Sequence, residues 1–248
     1  MKKIIYYIVF FIFNSVAVAV GQNNVDYTGN IQQNMDRFFA EAKKSKQLAP
    51  LTKYGNWLAS QPKSKVMIYW RSMEKFYEAQ VCMDMNDDDM AQNELMEGIN
   101  IINEYGNKDS ELYALLAAEQ SLLIKYAKGM RAGTLSMESA ANAEKAISAD
   151  SANLRAWLIA GMIDYFTPKF YGGGKKAEKY LSMATSLPEQ KIVNPYLPSW
   201  GKEMAYILLI QYYLDNKQTE KARKVYSEAV QSYPESNEIS KFKDTLSM

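Results

Sequence analysis

Between Glu203 and Pro234 every packing position of a helix-turn-helix unit is filled. With Glu203 as position 1, Tyr206 stands at 4, Leu209 at 7, Tyr213 at 11, Ala222 at 20, Tyr226 at 24, Ala229 at 27 and Pro234 at 32. Tyr206, Leu209 and Tyr213 recur at the spacing that gathers side chains on one face of a helix. The small Ala222 lets the partner helix approach closely. Pro234 has no N–H to offer a continuing helix, so the second helix ends there. A pair of helices built this way cannot bury its apolar face alone and demands neighbours of its own kind.

Such neighbours stand upstream. Counting Gln120 as position 1 puts Leu123 at 4, Ala127 at 8, Ala143 at 24, Ala146 at 27 and Ser151 at 32, and a new frame opens at Leu154, 34 residues on. In that frame Trp157 takes position 4 and Ala160 and Gly161 take 7 and 8, while Ala177, Leu181 and Ala184 follow four residues late. The displacement is an enlarged turn, Thr167 to Gly174. A 34-residue helix-turn-helix period is that of the tetratricopeptide repeat. The expected fold class is therefore all-α, a tetratricopeptide-repeat α-solenoid of antiparallel helix pairs. Its array is expected over 111–248, with repeats near 120–153, 154–187 and 203–236, after an amino-terminal helical region of degenerate repeats at 22–110.

That earlier region reads as helices too. Ile31, Met35, Phe38, Phe39 and Ala42 lie at helical spacing, with Lys43, Lys44 and Lys46 placed to complement the negative end of the helix dipole. Pro50 opens a short helix to Ser60, and Val66 to Met85 carries apolar residues over so broad a face that it predicts packing on two sides. Asp84, Asn86 and Asp88 begin like a calcium loop, but Asp89 stands where glycine is needed and Leu95 where glutamate is needed, so a turn that caps the next helix, Met90 to Tyr105, is the reading. A helix from Ser110 to about Lys128, a loop between Gly129 and Gly133, and a helix from Met137 to Ala149 complete the approach to Leu154. Beyond Leu187, Pro188, Pro195 and Pro198 exclude a continuous helix, and a linker carrying Tyr196 and Trp200 is expected to pack back on the array.

The chain opens Met1-Lys2-Lys3, continues apolar from Ile4, and reaches Ala17, Ala19 and Gly21 before the polar Gln22-Asn23-Asn24. This is the pattern of a cleaved secretory signal, residues 1–21, which implies a periplasmic or secreted chain with no stable membrane span after cleavage. Losing Lys2 and Lys3 with it takes the formal net charge from +1 to −1. A near-neutral chain disfavours nucleic acid as a partner. Cys82 is the only cysteine, so no internal disulfide can form, and its apolar neighbours at helical spacing read it as a small core residue. The sequence contains no histidine, which removes the commonest general base and the commonest metal ligand together. No metal, no cofactor and no catalytic residue is expected.

Two segments carry a resemblance. Tyr165-Phe166-Thr167-Pro168-Lys169-Phe170-Tyr171-Gly172-Gly173-Gly174-Lys175, with Ala177 after it, resembles the Tyr-Thr-Pro-x-x-Phe-Gly-Gly-Gly-Lys segment of exported tetratricopeptide proteins typical of Bacteroidetes. Pro195-Tyr196-Leu197-Pro198-Ser199-Trp200-Gly201 resembles the Pro-Leu-His-Pro-x-Trp-Gly segment that follows it in that family. The resemblance spans roughly Leu112 to Glu203. It departs at Leu197, where the family pattern has histidine, and in the full repeat after Glu203. What it implies is an exported helical scaffold.

The inner surface of such an array is lined by first helices. The groove positions 2, 5, 9 and 12 give Ser121, Ile124, Lys128 and Arg131, then Arg155, Leu158, Met162 and Tyr165, then Met204, Ile207, Gln211 and Leu214. Of these, Arg155, Leu158, Met162, Tyr165, Ile207 and Gln211, with Phe166 and Phe170 as aromatic anchors, form the candidate binding groove. The set lacks the Lys and Asn clamp with which chaperone-binding tetratricopeptide proteins hold a peptide carboxylate. Gly172, Gly173 and Gly174 before Lys175 invite comparison with a phosphate loop, but the spacing is wrong and the turn joins two helices, so a reversal needing positive φ is the expected role. The function expected is a non-catalytic scaffold for a protein or peptide partner. The alternative is a carrier of a small ligand or sugar, which would require a closed aromatic pocket of Tyr165, Phe170, Tyr196 and Trp200. An enzyme working with carboxylates alone would need two acids facing across a cleft, and no pair in the sequence stands out.

Overall fold

The computed structural model describes residues 27–189 and 194–246; the expected signal segment lies outside them. The described residues fold into helices throughout: α1 Ile31–Ser45, α2 Ala49–Ser60, α3 Lys65–Asp84, α4 Asp88–Tyr105, α5 Ser110–Leu123, α6 Met130–Ala149, α7 Leu154–Phe166, α8 Ala177–Ser186, α9 Lys202–Asp215 and α10 Thr219–Ser232, closed by the short α11 Asn237–Ser240 and α12 Phe242–Thr245. None of these helices is long and apolar enough to cross a membrane.

Local chemistry sets most boundaries. Side chains of Asn30, Ser64, Asp87, Asp109 and Asn153 accept N–H bonds at the starts of α1, α3, α4, α5 and α7. The Asp87 carboxylate accepts the Met90 N–H at 3.0 Å, so the acidic turn is a cap, and Leu95, at the twelfth loop position, lies fully inside the core. Two boundaries differ from the sequence reading. Helix α5 stops at Leu123 and a 3-10 turn, Ile124–Tyr126, follows it, whereas α6 already starts at Met130 and runs straight through Gly133. Glycine within an exposed helix costs about 1 kcal/mol relative to alanine, a penalty the buried face of α6 at Leu135, Ala143 and Ala146 outweighs.

The helices pair in chain order, and α1, α3, α5, α7 and α9 form one layer with α2, α4, α6, α8 and α10 behind it. The first helices α3, α5, α7 and α9 start at Lys65, Ser110, Leu154 and Lys202, so successive pairs are 45, 44 and 48 residues apart. The 34-residue frame drawn from Gln120 therefore begins inside α5, because the second helices α4 and α6 and the turn after α7 are longer than a minimal repeat needs. Close approach between pairs is made by Ala91, Ala117, Ala143, Ala146, Ala156, Ala177, Ala184, Ala222 and Ala229, all buried. One continuous core runs through all pairs, from Ile31 and Phe39 to Ile239 and Leu246. Ser110 Oγ donates to the Ala146 carbonyl at 2.8 Å and accepts from Asn153 Nδ2 at 2.9 Å, tying α5, α6 and α7 together through a satisfied polar network. Cys82 is fully buried in α3.

Candidate functional site

The linker before α9 determines the shape of the inner layer. Its residues 194–201 are tied to the first helices. The Pro195 carbonyl accepts the Ile31 N–H of α1 at 3.0 Å, and the Tyr196 carbonyl accepts Trp70 Nε1 of α3 at 2.7 Å. Trp200 Nε1 donates to the Tyr69 hydroxyl of α3 at 2.8 Å, and the Trp200 carbonyl accepts Arg155 Nη1 of α7 at 2.9 Å. Residues 194–201 thus form a strap across the amino-terminal ends of the first helices, from α9 back to α1. Gly201 completes it with φ +116°, and a Cβ there would stand 2.8 Å from Leu154 Cδ1, so the strap seats on α7 only with glycine at that place.

Arg155 anchors the strap. Its side chain is 1% exposed, its Nε donates to Glu111 Oε2 at 2.8 Å, its Nη2 pairs with Glu111 Oε1, and its guanidinium lies 5.9 Å from the Trp200 ring centre. A buried guanidinium is stable only when paired, and the fork geometry here satisfies a carboxylate and a carbonyl together.

Beyond the strap the inner faces of α3, α5, α7 and α9 form an apolar cleft of about 30 Å3, room for about two waters by volume alone. Tyr69, Met73 and Phe76 come from α3, Ala114, Leu115, Ala118 and Ser121 from α5, Ile159, Met162 and Ile163 from α7, and Met204 from α9. Trp200, Arg155 and Glu111 close one end. Three of these side chains are methionines, whose flexible thioethers reshape easily around an incoming apolar group.

The expected groove residues separate into three fates. Met162, Ser121 and Met204 line the cleft, and Arg155 sits at its closed end as a buried strut rather than an exposed cation. Leu158 and Ile207 are buried in the core. Tyr165 donates to Asp215 Oδ2 at 2.5 Å, Gln211 Nε2 donates to Asp215 Oδ1 at 2.7 Å, and Tyr165 packs on Phe166 with ring centres 4.7 Å apart; all three groups lie beyond the cleft, near the carboxy-terminal ends of α7 and α9. Phe170 is 91% exposed on the enlarged turn. The four aromatics Tyr165, Phe170, Tyr196 and Trp200 therefore do not close one pocket: Trp200 alone among them lines the inner cleft. The aromatic residues that the groove spacing missed are Tyr69 and Phe76, on the same face of α3 as Met73.

The glycine turn spends its amides internally. The Gly172 N–H donates to the Lys169 carbonyl at 3.0 Å, Gly173 to that of Pro168 at 3.3 Å and Gly174 to that of Asp164 at 2.7 Å, while Asp164 Oδ2 accepts the N–H groups of Lys176 and Ala177, both at 2.8 Å. A carboxylate occupies the place at the start of α8 where a phosphate would sit.

The acids that burial perturbs most lie inside helix packing, away from the cleft. Burial lifts Asp36 to about 7, against hydrogen bonds from Gln32 and Tyr77 that favour its ionised form. Burial also raises Glu74, helped by the neighbouring Glu78, and lifts Glu119 well above the usual carboxylate range despite a 2.7 Å bond from Ser72. Among the described residues no group of three or more Cys, Asp or Glu side chains is arranged to hold a metal ion.

Paired helices in two layers, closely packed alanines and a first-helix inner face have counterparts among solved structures. A thermophilic tetratricopeptide-repeat protein of Thermus thermophilus superposes with a TM-score of 0.59 at 16% identity, covering 87% of this chain and 98% of that one. The fold is a tetratricopeptide-type solenoid. The HusA haemophore of Porphyromonas gingivalis matches it with a TM-score of 0.55 at 22% identity over 79% of this chain and 96% of its own. No protein-family model and no curated protein sequence matches the chain.

Proposed function

We propose that this chain is an exported, non-catalytic binding protein whose inner cleft receives an apolar group of a protein or peptide partner. The observation that carries the reading is the cleft itself: an almost wholly apolar, methionine-lined concavity on the first-helix face, closed at one end by the Trp200 strap. Its acids and cations support no chemistry, since Glu111 and Arg155 are spent on each other. Export rests on the amino-terminal pattern Met1 to Gly21.

A second reading keeps the site and changes the ligand. One of the solved structures above is a haemophore, and the aromatic and thioether walls of the cleft offer a flat apolar small molecule the right chemistry. The cleft's volume of about 30 Å3 is far below the roughly 300 Å3 that small-molecule pockets start from, so this reading requires the first helices to part as well as the methionines to swing aside. In a chain without histidine, Met73, Met162, Met204 and Tyr69 are the side chains that would meet haem there.

One variant tests both. Ala118 lies half-buried in the cleft wall, and Ala118→Trp adds more volume than the cleft of about 30 Å3 can hold, so it blocks the cleft without removing a bond. A melting temperature close to that of the wild type is required before its binding is read. In affinity capture from an envelope extract, a partner retained by the wild type and lost by Ala118→Trp supports the protein reading; equal retention by both refutes the cleft as the site. Haem titration followed by absorbance, with the same pair of proteins, decides for the carrier.

A further inference from the structure

A second concavity lies where the enlarged turn after α7 folds back against α6. It encloses about 270 Å3, far more than the inner cleft, and it is lined by a different chemistry: Met137, Glu144, Asp164, Tyr171, Lys176 and Tyr180 around the small residues Ala140 and Gly173. Tyr171 is 76% exposed and meets the exposed Phe170 with ring centres 5.3 Å apart. Exposed apolar groups that adjoin a concavity are candidates for ligand contact.

The turn that presents them is fixed. Tyr171 donates its N–H to the Pro168 carbonyl at 2.8 Å, the three glycine amides are bonded internally, and a Cβ on Gly173 would fall 1.9 Å from the Thr167 carbonyl oxygen. The opposite wall is equally ordered: Glu144 accepts from both the Tyr180 hydroxyl and Lys176 Nζ, the latter at 3.2 Å. The backbone that carries Tyr171 is thus fixed across from a hydrogen-bonded acid, hydroxyl and ammonium, which places the two walls of the concavity before a ligand arrives.

We propose that this cleft binds a carbohydrate, a neutral sugar of one or two rings. A pyranose has one face of C–H groups that stacks on an aromatic ring and an edge of hydroxyls that both donate and accept. Tyr171 supplies the apolar wall; Glu144 keeps a second carboxylate oxygen to accept with, Lys176 keeps further ammonium hydrogens to donate, and the Tyr180 oxygen, its proton given to Glu144, accepts, so the lining matches that alternation. An anion is a poor fit, because the glycine amides point inward and the carboxylates of Asp164 and Glu144 line the space. The site shares only Ile163 with the inner cleft, and the proposal does not rest on what that cleft binds.

Calorimetric titration of the full chain with galactose, N-acetylglucosamine and cellobiose tests the proposal. At least one sugar binds in the millimolar range, Tyr171→Ala and Glu144→Gln each weaken it about tenfold or more, Ala118→Trp leaves it unchanged, and inorganic phosphate does not compete. Both Tyr171 and Glu144 are exposed, so thermal melting of these variants stays close to that of the wild type and separates lost binding from lost folding. No binding by any of the three sugars, binding indifferent to both substitutions, or an apolar peptide bound at Tyr171 in place of sugar would overturn it.

Discussion

Replacing Arg155 by methionine keeps the apolar stem of the side chain and removes its charge. In the folded chain this leaves Glu111 without its partner and the Trp200 carbonyl without its donor. Breaking a buried ion pair from one side costs roughly 3–5 kcal/mol. The lower figure applies here, because the Glu111 side chain keeps 22% of its surface in contact with water, where it regains hydration. A loss of about 3 kcal/mol lowers the melting temperature of a chain this size by about 6–12 °C. Urea unfolding followed by tryptophan fluorescence measures it, and limited proteolysis should find new cleavage within 194–201 as the strap loosens. Arg155→Lys keeps the charge but not the fork and falls between the two. The double variant Arg155→Met with Glu111→Leu removes both charges and recovers most of the loss. A single variant within about 1 kcal/mol of wild type, or a double variant as damaged as the single, refutes the role given to this pair.

Three further outcomes follow from the packing. The folded chain holds the Asp36 proton more tightly than the unfolded chain does, so its contribution to stability is complete below about pH 4 and is lost as pH rises towards 7; Asp36→Asn removes that slope and stabilises the chain at pH 8 by up to about 4 kcal/mol, read from denaturation curves across pH. Cys82, buried and with its thiol pushed up to about 12 by burial, stays unmodified by a thiol reagent at neutral pH until denaturant is added. Gly173→Ala forces the 167–174 turn to rearrange, so amide exchange quickens at Gly172 and Gly174 while the inner cleft keeps its ligand.

Much of the fold is legible in the sequence because helices announce themselves locally. The turn residues before Ser110, the acidic turn before α4 and the small Ala222 act over a few residues, and the structure uses each within a helix turn of where the sequence places it. The position of Arg155 is not legible for the opposite reason. A charged side chain at a groove position reads as exposed unless its partner is known, and Glu111 lies 44 residues away in sequence. That the linker packs back through Tyr196 and Trp200 is legible, as the structure shows, but its partners are not: its bonds join Tyr196 to Trp70 across 126 residues and Trp200 to Tyr69 across 131, and no periodicity encodes which helix an irregular segment meets. Tyr171, half of the exposed aromatic pair, is visible as a residue but not as a wall, because what brings it opposite Glu144 and Tyr180 is the fold of the turn, which helical spacing does not describe.

The most direct test of the inner cleft places a photo-cross-linking residue at Ala118 and, as a control, at the exposed Met130 on α6. Irradiation of the chain in the cells that make it should give a discrete adduct from position 118, abolished when Met162→Arg puts a charge into the cleft, and none from position 130. Equal labelling from both positions, or an adduct at 118 indifferent to Met162→Arg, would contradict binding through that cleft.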